Sequence, residues 1–302
     1  TTFFYIFKLV RFINNKKIDI IHARSRLPAW IVFLALKFIS KNKRPHFITT
    51  VHGFNSISFY SSIMTKGERV FVVSKSVQKF ITKNYKFNPL NVVLNYRGVD
   101  PKEFNLDSLL NKEWVKSWKK EFPFLNSKII LSFPSRITSR KGHEDFIYLI
   151  SKLKQDNINI HGLIIGDPKS SSNKYFQSLK NQINDRNLKE NITFTGYRSD
   201  VKNIIALSDI VYSLSREPES FGRTVIESIK LKTPFIGYDH GGVGEQLRMV
   251  FPEGLVELNN KEAIYKKTKK ILKEKPIIRD TDLFALDDML NKTLKTYQEI
   301  SS

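Results

Sequence analysis

The sequence has no cysteine in 302 residues. That excludes a disulfide framework and a thiolate metal site, and it fits a reducing compartment. No stretch approaches the ~18 consecutive apolar residues of a membrane span. The longest candidate, residues 29–39, is short, contains Lys37 and reads as a buried helix. Lys8 and Arg11 break the apolar run at the start and no small-residue cleavage site follows, so a secretory signal is not expected. Low-complexity linkers, short internal repeats and His-rich ligand clusters are also missing. Acidic residues are scarce, 29 Asp and Glu against 50 Lys and Arg, for a net charge of +21.

A hydrophobic content of 41% in a chain of this length suits a globular protein of two domains. The positive charge is unevenly spread: residues 1–110 hold 18 Lys and Arg against 5 Asp and Glu. A basic first half implies an anionic partner, such as a phosphorylated acceptor or an acidic membrane surface. General enrichment in Lys, Asn and Ile explains the same charge without a partner. No RNA- or DNA-binding signature is present, so nucleic acid is not an expected partner.

Short β-rich runs alternate with helical ones. In the first half the strand candidates are residues 19–22, 46–51, 69–73 and 91–94, with helices at 3–13, 27–40, 56–66 and 75–84. Gly98 and Pro101 then break the rhythm. Beyond them, strand candidates lie at 128–133, 160–165, 191–195, 209–214, 234–237 and 254–256, with helices at 142–155, 172–186, 201–207 and 222–231 and a helical tail at about 282–300. This is the alternating pattern of parallel sheets. It predicts an α/β protein of two Rossmann-like, doubly wound domains facing a cleft. Their expected bounds are 1–98 and 99–280, with a C-terminal helix over 281–302 packing back toward the first domain. One element is out of place: such a domain normally opens with a strand and a glycine-rich turn, and this one opens with a helical run.

The most informative stretch is Glu219-Ser-Phe-Gly-Arg-Thr-Val-Ile-Glu227. A strand-like run precedes it and a helix-like run follows. A polar loop and a helix N-terminus therefore stand at the carboxyl end of a buried strand, where ligands bind in open α/β sheets. Backbone amides there favour an anion while the carboxylates suit sugar hydroxyls, which points to a nucleotide sugar. Arg136 and Lys141 flank the turn after the strand at 128–133 and suit a phosphate. The same features also read as solvated surface loops with ordinary helix-end charges. Arg140 is assigned to that solvated set.

Taken in order, several segments resemble the retaining glycosyltransferases of family 4. They are Asp19-Ile-Ile-His-Ala-Arg-Ser-Arg26, Thr50-Val-His-Gly53, Val73-Ser74, Asn95 through Gly98-Val99-Asp100 to Phe104, Arg136 to Lys141-Gly142, Gly166-Asp167, Phe194-Thr195-Gly196, Glu219 to Glu227, and Gly241-Gly242 to Glu245. The resemblance spans nearly the whole chain and implies the GT-B fold. The Arg-Ser-Arg and His-Gly segments are most similar to bacterial enzymes of surface-polysaccharide or lipopolysaccharide synthesis. The family's first βα unit has no counterpart before Thr1, which implies an N-terminally truncated chain. Ser135 stands where the family usually has glycine.

The resemblance assigns Arg136 and Lys141 to the donor diphosphate, Glu227 to the nucleotide ribose and Glu219 to the transferred sugar, helped by the amides of Phe221, Gly222 and Arg223. It places Gly166, Gly196 and Tyr197 against the donor, and His52 near the transferred sugar and the acceptor. Tyr197 reads equally as a stacking partner for the base or as core. Arg24 and Arg26 follow the strand at 19–22 and read as acceptor-side residues. Glu219, His52, Arg136 and Lys141 form the expected catalytic set. The implied donor is a UDP-, GDP- or ADP-sugar, the acceptor a glycan or lipid-linked glycan, and the expected location the cytoplasmic face of the cell membrane. No cofactor or metal is implied. Asp280-Thr281-Asp282 follows no strand and reads as a helix start with a capping carboxylate. A sugar-nucleotide epimerase of the same architecture and a non-catalytic basic membrane adaptor are the alternatives.

Overall fold

The computed structural model describes residues 2–168, 173–279 and 281–302. The chain divides into two compact units: Thr1–Gly98 with Phe284–Ser302, and Val99–Leu283. The first contains α1 (Thr2–Asn15), β1 (Ile20–Ala23), α2 (Arg26–Lys37), β2 (His46–Val51), α3 (Phe59–Ser62), β3 (Arg69–Val72), α4 (Lys75–Asn84) and β4 (Val92–Leu94). Its four strands are all parallel and lie in the order β1-β2-β3-β4. Ile48, Val70, Phe71 and Val72 fill the core beneath Val77 and Ile81 of α4. Ser74 starts α4 by accepting the Val77 N–H at 3.1 Å, a side-chain cap for a helix whose inner face is apolar. The expected helix over 56–66 is shorter, with one α turn followed by a 3₁₀ turn at Ile63–Thr65.

The second unit contains α5 (Leu106–Leu109), α6 (Lys112–Glu121), β5 (Ile129–Pro134), α7 (His143–Gln155), β6 (Ile160–Ile165), α8 (Lys174–Asp185), β7 (Ile192–Gly196), α9 (Val201–Leu207), β8 (Ile210–Ser213), α10 (Arg223–Lys230), β9 (Phe235–Tyr238), α11 (Gly241–Val250), β10 (Leu255–Val256) and α12 (Lys261–Glu274). Its parallel sheet has the order β10-β9-β8-β5-β6-β7. The direction of winding reverses between β5 and β8, and in such sheets the crevice at the reversal is the ligand site. Every residue of β6 is buried, as expected of a strand covered on both faces. Gly162 at its middle leaves room for α7: a Cβ there would sit 3.0 Å from Phe146 and 3.1 Å from Ile150.

The sequence reading assigned no element to α6 or α12. Both open with an asparagine cap, Asn111 to the Trp114 N–H and Asn260 to the Ala263 N–H. In α6 the tryptophans one turn apart, Trp114 and Trp118, stack at 5.3 Å and join a cluster with Phe122, Leu125 and Ile204.

The last helix, α13 (Leu286–Ser301), belongs to the first unit. Asn95 donates to the Met289 carbonyl at 3.1 Å and to Thr293 at 2.8 Å. Gly98 permits the close approach, since a Cβ would lie 2.4 Å from the Ala285 oxygen. The expected carboxylate cap is overturned. The residue capping α13 is Ala285, which supplies no side-chain cap, and Asp282 lies outside the helix. Phe284 is buried with a positive φ of 65° and packs edge-on against Tyr96, so the chain turns to bury an aromatic ring before the helix begins. Asp280, like Ser172 at the expected start of α8, lies outside the described residues.

Candidate active site

In the second unit, the turn after β5 and the loop after β8 stand at the two strands flanking the reversal. The Lys141 ammonium lies 2.7 Å from Glu219 Oε1, both half-buried. Ser213, the last residue of β8, donates to the same oxygen at 3.3 Å. Glu219 is thus held by a strand end and a cation from the neighbouring strand's turn. Gly142 closes that turn in the left-handed region, φ 77°. The Arg136 guanidinium is exposed and makes no hydrogen bond or ion pair among the described residues. Arg140 pairs with Glu217 at 3.1 Å on the surface.

Gly222 caps α10 without a side-chain bond, so the first N–H groups of the helix are left for a ligand. Glu227, one turn in, is largely buried, and Arg223 bonds it at 2.7 Å. Burial raises the Glu227 pKa, and Arg223 pulls it down. Phe221 is buried and anchors the loop. The glycines of α11 let that helix lie against it: Gly242 donates to the Glu219 carbonyl at 2.6 Å, and a Cβ on Gly242 would meet the Phe221 backbone at 2.6 Å. Backbone packing therefore accounts for Gly241-Gly242.

The next two strands present glycine turns. The Gly166 N–H donates to the Gly196 carbonyl at 3.0 Å, and a Cβ on Gly166 would collide with the Ser135 carbonyl at 2.0 Å. Gly196 has φ 71° and nothing within 4 Å of a Cβ position, so its backbone borders open space. Tyr197 is 78% exposed, which removes the reading of it as core. Arg198 fixes this turn through two 2.8 Å bonds to Asp200 and lies over the Trp118 ring. Ser135, in place of glycine, bonds the buried His143 at 3.1 Å.

In the first unit, side chains gather where β1, β2 and β4 end. Arg24 Nε donates to His52 Nε2 at 3.3 Å, and Arg97 Nη2 lies 2.6 Å from His52 Nδ1. His22 is fixed by Thr50 and Tyr297, each at 2.6 Å. Arg26 turns away: it donates to Ser61 at 3.2 Å and lies over the Tyr60 ring. The sequence reading gave Arg97 no role, although it follows β4 as Arg24 follows β1. Tyr297 carried no sequence signal, being 275 residues from its partner.

The profile of the family described as Glycosyl transferases group 1 matches residues 115–283, more than half of the chain. The chain belongs to this family. A second profile, Glycosyltransferase Family 4, matches residues 1–103 of the glycosyltransferase. A glycosyltransferase from Rickettsia africae has a solved structure with TM-score 0.85 and 32% identity, covering 98% of this chain and 80% of that one. The two parallel sheets are those of the GT-B fold. The N-acetyl-alpha-D-glucosaminyl L-malate synthase of Bacillus anthracis is 22% identical over 90% of this chain and 70% of its own length. An O-antigen biosynthesis glycosyltransferase of Escherichia coli, WclY, is 27% identical over 73% of this chain and 61% of its own.

Both units of the glycosyltransferase carry neutral imidazoles. Burial lowers the pKa of His22, His52, His143 and His161 from 6.5 to about 4, and neighbouring cations add to the effect. As pH falls below 6.5 the unfolded chain protonates first, while the folded chain follows only near 4. Their contribution is therefore whole above the unfolded value and is lost on descending through that window. Glu227 and Asp209, whose pKa burial raises, offset part of the loss. Unfolding at about pH 5 is expected to take up as many as four protons, one per imidazole. Urea midpoints measured from neutral to acid pH check this, and a midpoint that does not move counts against it.

Proposed function

We propose that this glycosyltransferase transfers a sugar, with retention of anomeric configuration, from a UDP-, GDP- or ADP-sugar to a glycan or lipid-linked acceptor in cell-envelope polysaccharide or lipopolysaccharide synthesis. The observation that carries the donor site is the Lys141–Glu219 pair at 2.7 Å, set at the strand reversal beside Arg136 and the uncapped start of α10. Arg136 and Lys141 hold the diphosphate, where negative charge grows as the bond to the sugar breaks. Lys141 has three N–H donors, so it keeps Glu219 and still reaches a phosphate oxygen. Glu227 takes the ribose hydroxyls, Glu219 takes the sugar, and the Gly166 and Gly196 turns let the donor approach, with Tyr197 offered to the base.

The acceptor hydroxyl oxygen attacks the anomeric carbon from the face the diphosphate is leaving. Its proton passes to a leaving phosphate oxygen, and the nucleoside diphosphate departs. His52 and Arg24 serve the acceptor side. The cationic side chains stabilise the leaving group without a metal, so a chelator is expected to leave the rate unchanged. Calorimetry with UDP, GDP and ADP tests the donor site. One nucleotide is expected to bind, and Glu227→Ala to weaken it about tenfold or more through loss of two charge-assisted hydrogen bonds. Parent-like binding by both Glu227→Ala and Lys141→Ala would sink the assignment.

We also propose docking on anionic lipid. Among the described residues no helix is long and apolar enough to cross a membrane. The exposed rings of α1, Phe3, Phe4, Phe7 and Phe12, lie beside Lys8 and Arg11, the composition of an interfacial helix. Flotation with phosphatidylserine vesicles is expected to carry the protein at low salt and release it at high salt. Equal flotation with neutral vesicles would argue against it.

A further inference from the structure

Of the two carboxylates in the candidate donor site, Glu227 is the more buried, its side chain 16% exposed against 24% for Glu219. Burial penalises the charged form, and it is the largest influence on this group, holding its pKa above the ordinary carboxylate value. The charged groups that bear on it are Arg223 from its own helix, Lys202 from α9 and Glu103 from the 3₁₀ turn before α5. Lys202 is taken up by Glu103, with which it forms an ion pair, and it lies over the Phe104 ring at 4.9 Å. Its charge is therefore answered by an acid that itself opposes ionisation of Glu227. Arg223 Nε, 2.7 Å from Glu227 Oε1, belongs to the one cation in contact with the carboxylate among the described residues.

The pair runs against the electrostatics of its helix. Arg223 is the first residue of α10, and no acidic residue lies in that first turn. A cation there opposes the helix dipole, and an i,i+4 pair is the weaker one when the cation stands N-terminal to the acid. The Arg223 side chain is also 62% exposed, where an ion pair contributes little to stability. Helix stability therefore does not account for the arrangement. What the contact does is offset burial at one carboxylate. It engages one guanidinium nitrogen and one carboxylate oxygen, so lone pairs remain on Glu227 for hydroxyls. We propose that Arg223 is a positioning residue for the nucleotide: its guanidinium keeps the Glu227 carboxylate charged and fixed, so that it accepts the two ribose hydroxyls. The inference rests on the donor-site reading and deepens it, giving a role to a side chain of which the backbone amide alone was assigned to the donor. A protonated Glu227 has fewer acceptor sites, and hydroxyls bound to it lose the charge assistance.

The experiment is calorimetry on the full chain with whichever of UDP, GDP and ADP binds and with the 2′,3′-dideoxy form of the same nucleotide, from about pH 8 to about pH 5. The ratio of the two dissociation constants isolates the hydroxyl contact, because titration of the phosphates is common to both nucleotides. In the parent the dideoxy form is expected to bind about tenfold or more weaker, the usual loss of charge-assisted hydrogen bonds. In Arg223→Gln the ratio should fall by about threefold or more at neutral pH and recover as pH rises. At acid pH it should sink to the low, pH-independent value of Glu227→Gln. Arg223→Lys, which keeps a charge without the planar fork, should lie between Arg223→Gln and the parent. A ratio in Arg223→Gln equal to the parent's at every pH overturns the inference. So does a loss of the same size at every pH, which is what a merely structural role would give. Both of those results leave the donor site standing. A parent that binds the two forms alike sinks the ribose assignment of Glu227 itself, and one that binds no nucleotide sinks the donor site; the inference falls with either.

Discussion

Replacing Lys141 by alanine is expected to lower kcat by about 10²–10³-fold, the usual effect of removing one preorganised group that stabilises charge in the transition state. The reason lies in where the ammonium is held. It is half-buried and fixed at 2.7 Å from Glu219, so in the proposed donor site it needs little reorganisation as a diphosphate gains charge. Its removal also leaves the Glu219 carboxylate without that cation, bonded among the described residues only by Ser213 at 3.3 Å, and in the proposed donor site that negative charge would then face the phosphates. The loss should accordingly exceed that of Lys141→Arg, which keeps the charge but alters the geometry. Removing the carboxylate as well, in Lys141→Ala with Glu219→Gln, should recover part of the nucleotide affinity but not the rate. Initial rates and calorimetry on the three variants check this, and a Lys141→Ala enzyme within about threefold of the parent rate would contradict the assigned role.

Gly142→Ala is expected to be strongly destabilising for the second unit. The residue sits at φ 77°, and a Cβ would lie 2.1 Å from the Leu214 carbonyl oxygen at the end of β8. The left-handed backbone alone costs an alanine about 1–2 kcal/mol, and the collision with backbone has no side chain to absorb it. A total of about 3 kcal/mol or more follows, which for a unit of this size lowers its melting temperature by roughly 6–12 °C. Gly196→Ala is the matched control. Its φ is 71°, but nothing lies within 4 Å of the added carbon, so only the backbone cost applies. Calorimetric melting of both variants tests the ranking, and equal losses would show that the Leu214 collision relaxes freely.

Local patterning made most of the elements legible. The residue bounds of β2, β6, α4 and α9 follow directly from apolar runs and caps, because those signals are confined to neighbouring residues. Lys141 and Glu219 were each placed at a strand's end, but their contact depends on β5 and β8 being neighbours, which is a property of strand order rather than of any motif. The α13 partners of Asn95 and His22 lie 194 or more residues away, and no spacing rule reaches that far. Asp282 failed as a cap because a buried Phe284 outweighed a favourable cap residue, a tertiary term overriding a local one. The α6 helix was readable in principle, since Asn111, Trp114 and Trp118 are a cap and a one-turn apolar pair.

The return of α13 to the first unit sets an order for synthesis. Val99–Leu283 is one unbroken stretch, so the second unit can complete its sheet while α13 is still being made. The unit built on residues 1–98 closes only after the second: Asn95 and His22 wait for Met289, Thr293 and Tyr297. Until then the polar side chains of His22 and Asn95 lack their α13 partners. A stop codon just before residue 284 would remove α13 yet injure the unit built on residues 1–98.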